Sequence, residues 1–127
     1  MKVPCAFVAA GFVLASAAAS AQSGNDLDAS MRRLAADRGC SVCHAEKPRA
    51  PGDGILAYAP SWPEIARRYR GRADAQDYLS RIVAGGTAPD TRHWRNQAAF
   101  AAMLPNEPRT TPEEARSLVR WILAWPR

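Results

Sequence analysis

The chain has 127 residues, which suits one small domain and not two. It carries 17 Lys and Arg residues against 12 Asp and Glu residues, a formal net charge of +5 at pH 7. The basic residues are scattered, and no nucleic-acid-binding motif accompanies them, so a nucleic-acid partner is not expected.

Residues 1–21 have the composition of an export signal. Lys2 is the only charged residue among them, and an apolar, alanine-rich stretch extends from Val3 to Ala19. The segment ends in Ala-Ser-Ala, an A-x-A cleavage pattern, so cleavage before Gln22 is expected. This interpretation predicts a secreted, periplasmic protein.

The mature chain is then expected to be one domain over residues 22–127 that begins with a short polar tail at residues 22–26. A retained membrane anchor is the alternative, because the apolar stretch approaches the roughly 20 residues that span a bilayer. Pro4 interrupts the stretch and many of its residues are small. We therefore expect no membrane span in the mature protein.

Four helical segments and no strand are predicted in the mature chain. The first is expected from Asp28 to Gly39, where Met31, Leu34 and Ala35 form one apolar face. A proline-rich loop from Ala45 to Pro60 follows. Loops of this composition and length do not form regular structure.

The second helix is predicted to begin with a capping box made by Ser61 and Glu64, with a proline in the first turn. The third is predicted from Asp74 to Ala84 and ends at Gly85-Gly86.

The last helix is predicted to begin at Thr111, which forms a second capping box with Glu114. Its apolar residues recur at positions i, i+3, i+4 and i+7, and they are Leu118, Trp121, Ile122 and Trp125. Together the four segments predict an all-α fold.

Cys40-Ser41-Val42-Cys43-His44 is a C-x-x-C-H motif, and its cysteines are the only ones outside the predicted export signal. In such a motif each thiol adds to one haem vinyl group, and the two-residue spacing matches the vinyl separation in a helical or turn-like segment. The following histidine then lies beneath the iron. The motif predicts one covalently bound haem c, attached at Cys40 and Cys43, with His44 as an axial ligand.

Two other uses of paired cysteines are less favoured. A thioredoxin-like redox pair belongs in a βαβ context, which the predicted helices do not provide. A zinc site needs three or four protein ligands, and beyond the motif the mature chain offers only His93 as a further nitrogen ligand.

Met103 and His93 are the two candidates for the sixth iron ligand. Met103 lies in a proline-containing loop, and its thioether would raise the reduction potential. His93 lies in an arginine-rich stretch and would give a bis-His haem of lower potential. Met31 is assigned to the core because it belongs to the apolar face of the first helix. We favour Met103 and keep His93 as the alternative.

The order of these features resembles the class I cytochromes c, specifically the small bacterial c551/c552-like group, from about Leu34 to Trp125. The resemblance implies an all-α fold in which the N- and C-terminal helices cross. Residues Leu34 and Ala35 would then contact the last helix at Leu118, Trp121 and Ile122.

The resemblance also implies roles for two residues beside the haem. Pro60 matches the family's Gly-Pro, whose proline carbonyl accepts the Nδ1 proton of the axial histidine, although Ala59 replaces the glycine. Trp94 matches a tryptophan that can donate to a haem propionate, although the segment from Gly86 to Met103 is longer than usual.

The function implied by the resemblance is one-electron transfer between periplasmic redox partners, with no catalytic residue. The alternatives are an open-iron or bis-His haem protein with a catalytic or sensing role, and a haem subunit of a larger oxidoreductase complex. One basic cluster is interpreted as a solvated helix face or as a docking patch for an acidic partner. It contains Arg67, Arg68, Arg70 and Arg72.

Overall fold

The computed structural model describes residues 15–48, 59–87, 94 and 102–126, with only the helical backbone described over 15–23. The described residues form four α-helices and one short 3-10 helix, without a strand. In chain order they are α1 (Ala15–Asp37), the 3-10 helix (Cys40–Val42), α2 (Trp62–Tyr69), α3 (Ala75–Gly85) and α4 (Pro112–Leu123). The predicted all-α fold is confirmed.

Helix α4 packs against the other three α-helices, most extensively against α3. Its first turn has the predicted capping box: the Thr111 amide donates to Glu114 Oε2 at 2.9 Å, and the Glu114 amide donates to Thr111 Oγ1 at 3.2 Å. These bonds satisfy amides that no helical carbonyl can reach. The buried face of α4 consists of Ala115, Leu118, Val119 and Ile122.

Helix α1 begins much earlier than predicted, at Ala15 rather than Asp28. It therefore includes the predicted cleavage point before Gln22, and residues 22–26, expected as a short polar tail ahead of the first helix, belong to that helix. The physical reason is composition, because residues 15–22 are rich in alanine, the strongest helix former. No described helix is both long and apolar enough to cross a membrane.

The end of α1 falls two residues before the predicted Gly39. Gly39 adopts a left-handed conformation at φ 72° and so ends the helix directly before Cys40. Helix α1 also contacts α4, as the class I resemblance implied. Across this contact Trp121 Nε1 donates to Asp28 Oδ1 at 2.8 Å, and Ala35 is 1% exposed.

Helix α2 begins where predicted, and α3 spans Ala75–Gly85 rather than the predicted Asp74 to Ala84. The Ser61 amide and hydroxyl both donate to Glu64 Oε2, at 2.8 and 2.7 Å, in the first turn of α2. At the end of α3 the Gly86 amide donates to the Ile82 carbonyl at 2.7 Å, with Gly86 at φ 76°. The buried side of α2 consists of Trp62, Ile65, Ala66 and Tyr69.

Candidate functional site

A cavity of about 510 Å³ lies between the C-x-x-C-H segment, α2, α3, α4 and the loop before α4. Cys40, Cys43, His44 and Met103 all border it. Its other walls are mainly apolar and include Ile65, Leu79, Ile82, Val83, Leu118, Val119 and Ile122. A large apolar space with a few convergent polar groups is the usual form of a cofactor site.

The two cysteines are brought to the cavity by the 3-10 helix. The Cys43 and His44 amides both donate to the Cys40 carbonyl, at 3.2 and 3.0 Å. This tight turn directs both thiols and the imidazole to one space. Cys40 is buried and Cys43 is exposed, and no disulfide joins them.

His44 is held by a hydrogen bond and by a stacked ring. Its Nδ1 lies 2.7 Å from the Pro60 carbonyl oxygen, the contact that the resemblance implied. Trp62 stacks on the imidazole with ring centroids 4.6 Å apart. Burial lowers the pKa of His44 below its ordinary value, although the Pro60 hydrogen bond opposes the shift. The imidazole is therefore neutral, and with Nδ1–H donating to Pro60 its Nε2 keeps a lone pair for a metal.

Met103 is held by its backbone against the end of α3. The Thr87 amide donates to the Met103 carbonyl at 2.7 Å, and the Met103 amide donates to Thr87 Oγ1 at 2.9 Å. A Cβ on Gly86 would lie 2.6 Å from the Met103 carbonyl oxygen and 2.9 Å from Pro105 Cδ. The loop can approach α3 this closely only because residue 86 is glycine.

Asn106 attaches the other end of this loop to the cysteine segment. Its Nδ2 donates to the Arg38 carbonyl at 2.7 Å and lies 3.1 Å from Cys40 Sγ. Its Oδ1 is buried without a hydrogen-bond partner among the described residues. Sequence reasoning assigned no role to Asn106 or Thr87, because neither contact follows from local spacing.

Trp94 borders the cavity, and the Arg68 guanidinium lies over its ring in a cation–π contact, with Arg68 Cζ 4.5 Å from the ring centroid. Arg72, from the same basic cluster, lies 4.6 Å from the Tyr78 ring centroid and donates to Asp74 Oδ1. Among the described residues, Arg68 and Arg72 therefore contact aromatic rings. His93, the alternative iron ligand, lies outside the described residues.

Known proteins share both the sequence pattern and the fold. The profile of the family described as "Cytochrome c" matches residues 31–125. Cytochrome c-552 of Hydrogenobacter thermophilus is 33% identical over 94 residues, which cover 72% of this chain and 78% of that protein. Cytochrome c-551 of Azotobacter vinelandii is 32% identical over 88 residues, or 68% of this chain and 85% of that protein.

A solved structure also matches. The crystal structure of wild-type cytochrome c552 from Nitrosomonas europaea superposes with a TM-score of 0.56 at 25% sequence identity. The alignment covers 73% of this chain and 96% of that chain.

Proposed function

We propose that this chain, which belongs to the cytochrome c family, carries single electrons between redox partners in the periplasm and catalyses no reaction of its own. Members of that family are electron carriers with a covalently bound haem c. The observation behind this proposal is the donor set of the cavity, which comprises two thiols, a neutral imidazole and a thioether. These groups fit a haem: the thiols match two vinyl groups, and the apolar walls match the macrocycle.

Each donor has a proposed role. Cys40 and Cys43 would form the two thioether bonds, and His44 and Met103 would fill the axial positions. Bound haem supplies an iron that alternates between the ferric and ferrous states. The Pro60 carbonyl orients the His44 ring and makes it a stronger donor. The soft thioether of Met103 favours the ferrous state and so raises the reduction potential.

Trp94 is proposed to donate its indole N–H to a haem propionate, because its ring borders the cavity. If His44 and Met103 both held the iron, no position would be left for a substrate, and this would separate an electron carrier from the open-iron alternative. His93 remains the alternative sixth ligand.

The axial assignment is tested by the optical spectrum of the ferric protein. Iron–Met ligation gives a weak near-infrared sulfur-to-iron charge-transfer band, which should be present in the wild type and absent from Met103→Ala. His93→Ala is the matched control and should keep the band. A wild type without the band, or a ferrous protein that readily binds carbon monoxide, would instead support the open-iron or bis-His alternatives.

The basic cluster is proposed as the docking surface for an acidic partner. Arg68 lies on Trp94 and Trp94 borders the cavity, so a partner bound here would be close to the haem. Arg67 and Arg70 are exposed and extend the positive surface. Opposite charge across such a contact raises association rates at low salt.

Small redox reagents of opposite charge test this surface. Arg67→Gln with Arg70→Gln should slow oxidation by anionic ferricyanide at low salt and leave oxidation by a cationic cobalt phenanthroline complex unchanged or faster. An equal effect on both reagents would show that the cluster does not steer association.

Periplasmic location is tested by the N-terminus of the haem-loaded protein after expression of the full chain. Cleavage of the export signal predicts a protein in the periplasmic fraction that begins at Gln22. A cytoplasmic protein that keeps residues 1–21 would contradict the proposed location.

A further inference from the structure

The contact between Trp62 and His44 has an electrostatic side as well as a packing side. The indole stacks on the imidazole, with ring centroids 4.6 Å apart and ring planes inclined by 20°. Trp62 therefore presents the face of its π system to the imidazole, rather than its edge. The face of an aromatic ring carries the negative part of its quadrupole. His44 thus lies beside a fixed region of negative electrostatic potential.

The Trp62 ring is held in this position by backbone and by packing. The Trp62 amide donates to the Ala45 carbonyl at 2.9 Å, which ties the first residue of α2 to the residue that follows His44. Trp121 packs against Trp62 with ring centroids 6.0 Å apart, and Trp62 is buried. The stack is therefore fixed by the fold, and we expect its geometry to be the same in both oxidation states.

With a haem bound through His44, the charge beside the indole changes with the oxidation state. Reduction adds one electron to the iron, from a donor protein or an electrode. No bond forms or breaks, and the Nδ1 proton of His44 stays in its hydrogen bond with Pro60. The ferric state carries one more positive charge than the ferrous state, and part of that charge resides on the coordinated imidazole. Because a π face attracts positive charge, Trp62 should stabilise the ferric state more than the ferrous state.

We propose that Trp62 is a positioning residue that holds its π face against His44 and thereby lowers the reduction potential. The proposal rests on the proposed haem site and deepens it, because the effect reaches the iron through His44. Trp62 then opposes the thioether of Met103, which raises the potential. The two groups act on the same iron from two sides of the cavity.

A purely structural role for Trp62 predicts a shift of the opposite sign. If the indole only filled space, a smaller side chain would admit water to the site. Exposure to water favours the more highly charged ferric state and so lowers the reduction potential. Loss of an electron-rich π face raises it instead, and the direction of the shift therefore separates the two roles.

The first measurement is the midpoint potential of haem-loaded Trp62→Phe by optical titration at an electrode. Phenylalanine keeps a ring but has a weaker π face than tryptophan. At a fixed electrode potential the ferrous-to-ferric ratio should rise about twofold, which is roughly 18 mV at 59 mV per tenfold change for one electron. Trp121→Phe is the matched control, because it makes the same change in the next ring, and it should leave the midpoint unchanged.

Fluorinated tryptophan provides a second measurement that leaves the size of the ring nearly unaltered. Expression with increasingly fluorinated tryptophan replaces all four tryptophans of the chain. Fluorine withdraws electron density from the ring face, so the midpoint potential should rise with each added fluorine. The same labelling of Trp62→Phe should give a much smaller rise, although the other three tryptophans are still labelled.

This comparison of the two labelled proteins decides the proposal, whatever the sign of the shift in unlabelled Trp62→Phe. An equal rise in both proteins, or no rise in the wild type, would mean that the Trp62 π face does not act on the iron, and would overturn the proposal. Trp62→Tyr replaces Trp62→Phe as the labelled background if the phenylalanine variant folds poorly.

The failure of the proposed function is distinguishable from the failure of this inference. The near-infrared band of each protein reports Met103 ligation independently of the fluorine effect. A missing band together with a fluorine effect that depends on Trp62 would overturn the axial assignment and support the role of Trp62. A normal band with a fluorine effect that does not depend on Trp62 would do the reverse.

Discussion

The His44 side of the cavity is closely packed around the start of α2, whereas the Met103 side is a loop held mainly by hydrogen bonds. On the first side Trp62 is 4% exposed and stacks directly on the imidazole. On the second, Leu104 beside Met103 is 77% exposed, and Thr87 and Asn106 hold the chain. We call these the histidine wall (His44, Pro60 and Trp62) and the methionine loop (residues 102–106).

This difference separates two properties of the protein. Apolar burial contributes most of the free energy of folding, so the histidine wall should determine stability. Each hydrogen bond contributes little net stability but fixes geometry, so the methionine loop should determine which group occupies the sixth position. Substitutions on the two sides should therefore affect different measurements.

The largest expected effect is on the histidine wall. Trp62→Ala removes a buried indole and should lower the free energy of unfolding by about 3–5 kcal/mol. Leu104→Ala, in the methionine loop, should change it by no more than about 0.5 kcal/mol because the side chain is already exposed. Denaturant unfolding of the haem-loaded proteins measures both, and equal losses would show that the two sides do not differ in this way.

Gly86→Ala should disturb the methionine loop most strongly. The new Cβ would meet the Met103 carbonyl, and φ of 76° is unfavourable for alanine. We expect a loss of about 1–3 kcal/mol together with weakening of the near-infrared band. Gly85→Ala is the control, because a Cβ there meets nothing within 4 Å. If both variants keep the full band, the close approach of the loop to α3 is not needed for ligation.

Thr87→Val should have a smaller effect on stability and a clear one on ligation. It removes the acceptor of the Met103 amide and should cost about 0.5–1.5 kcal/mol. With Met103 less constrained, another ligand should replace it on the iron as the pH is raised into the alkaline range. The midpoint pH of this replacement should be lower than in the wild type. Thr87→Ser keeps the hydroxyl and should restore the wild-type midpoint in an optical titration. A Val variant with the wild-type midpoint would exclude this role.

The smallest expected effect is at an ion pair that joins the segment before Cys40 to α4. Arg38 and Glu114 form two hydrogen bonds, at 3.1 and 2.6 Å, and the Arg38 guanidinium lowers the pKa of Glu114 below its ordinary value of 4.5. The pair therefore stabilises the folded protein above that ordinary value. This contribution is lost as the pH falls through the lower, folded-state pKa.

Glu114→Gln should accordingly lower the free energy of unfolding at neutral pH and converge with the wild type in acid, without changing the near-infrared band. Glu113→Gln, exposed in the same helical turn, is the matched control. Denaturant unfolding across the acidic range measures the difference. A gap between Glu114→Gln and the wild type that persists unchanged in acid would contradict the assigned ion pair.

The histidine wall was easier to predict from the sequence than the methionine loop. The C-x-x-C-H spacing and the capping box at Ser61 are local patterns. The first called for a helical or turn-like segment, which is the observed 3-10 helix, and the second correctly located the start of α2. The ring contact of Trp62 with His44 was not predicted, because it depends on where α2 lies relative to a residue 18 positions earlier in the chain. The start of α1 was also missed, since alanines assigned to the export signal were not considered as helix.

The contacts that hold the methionine loop are long-range, and for this reason the sequence did not reveal them. Gly86 was correctly predicted to end α3, but its second role, close approach to the Met103 carbonyl, involves a residue 17 positions later in the chain. Asn106 reaches back to Arg38 and Cys40 across the cavity. Such contacts follow from the packing of α3 and α4 rather than from any local motif.

Ligation of the iron by Met103 is tested most directly by nuclear magnetic resonance of the ferrous protein with carbon-13-labelled methionine methyl groups. A methyl group held against a haem face is shifted far upfield by the ring current. His–Met ligation predicts that the Met103 methyl is shifted in this way and that the signal is lost in Met103→Ala. The Met31 methyl should stay near its ordinary position. Both methyl groups at ordinary positions in the wild type would contradict the proposed ligation.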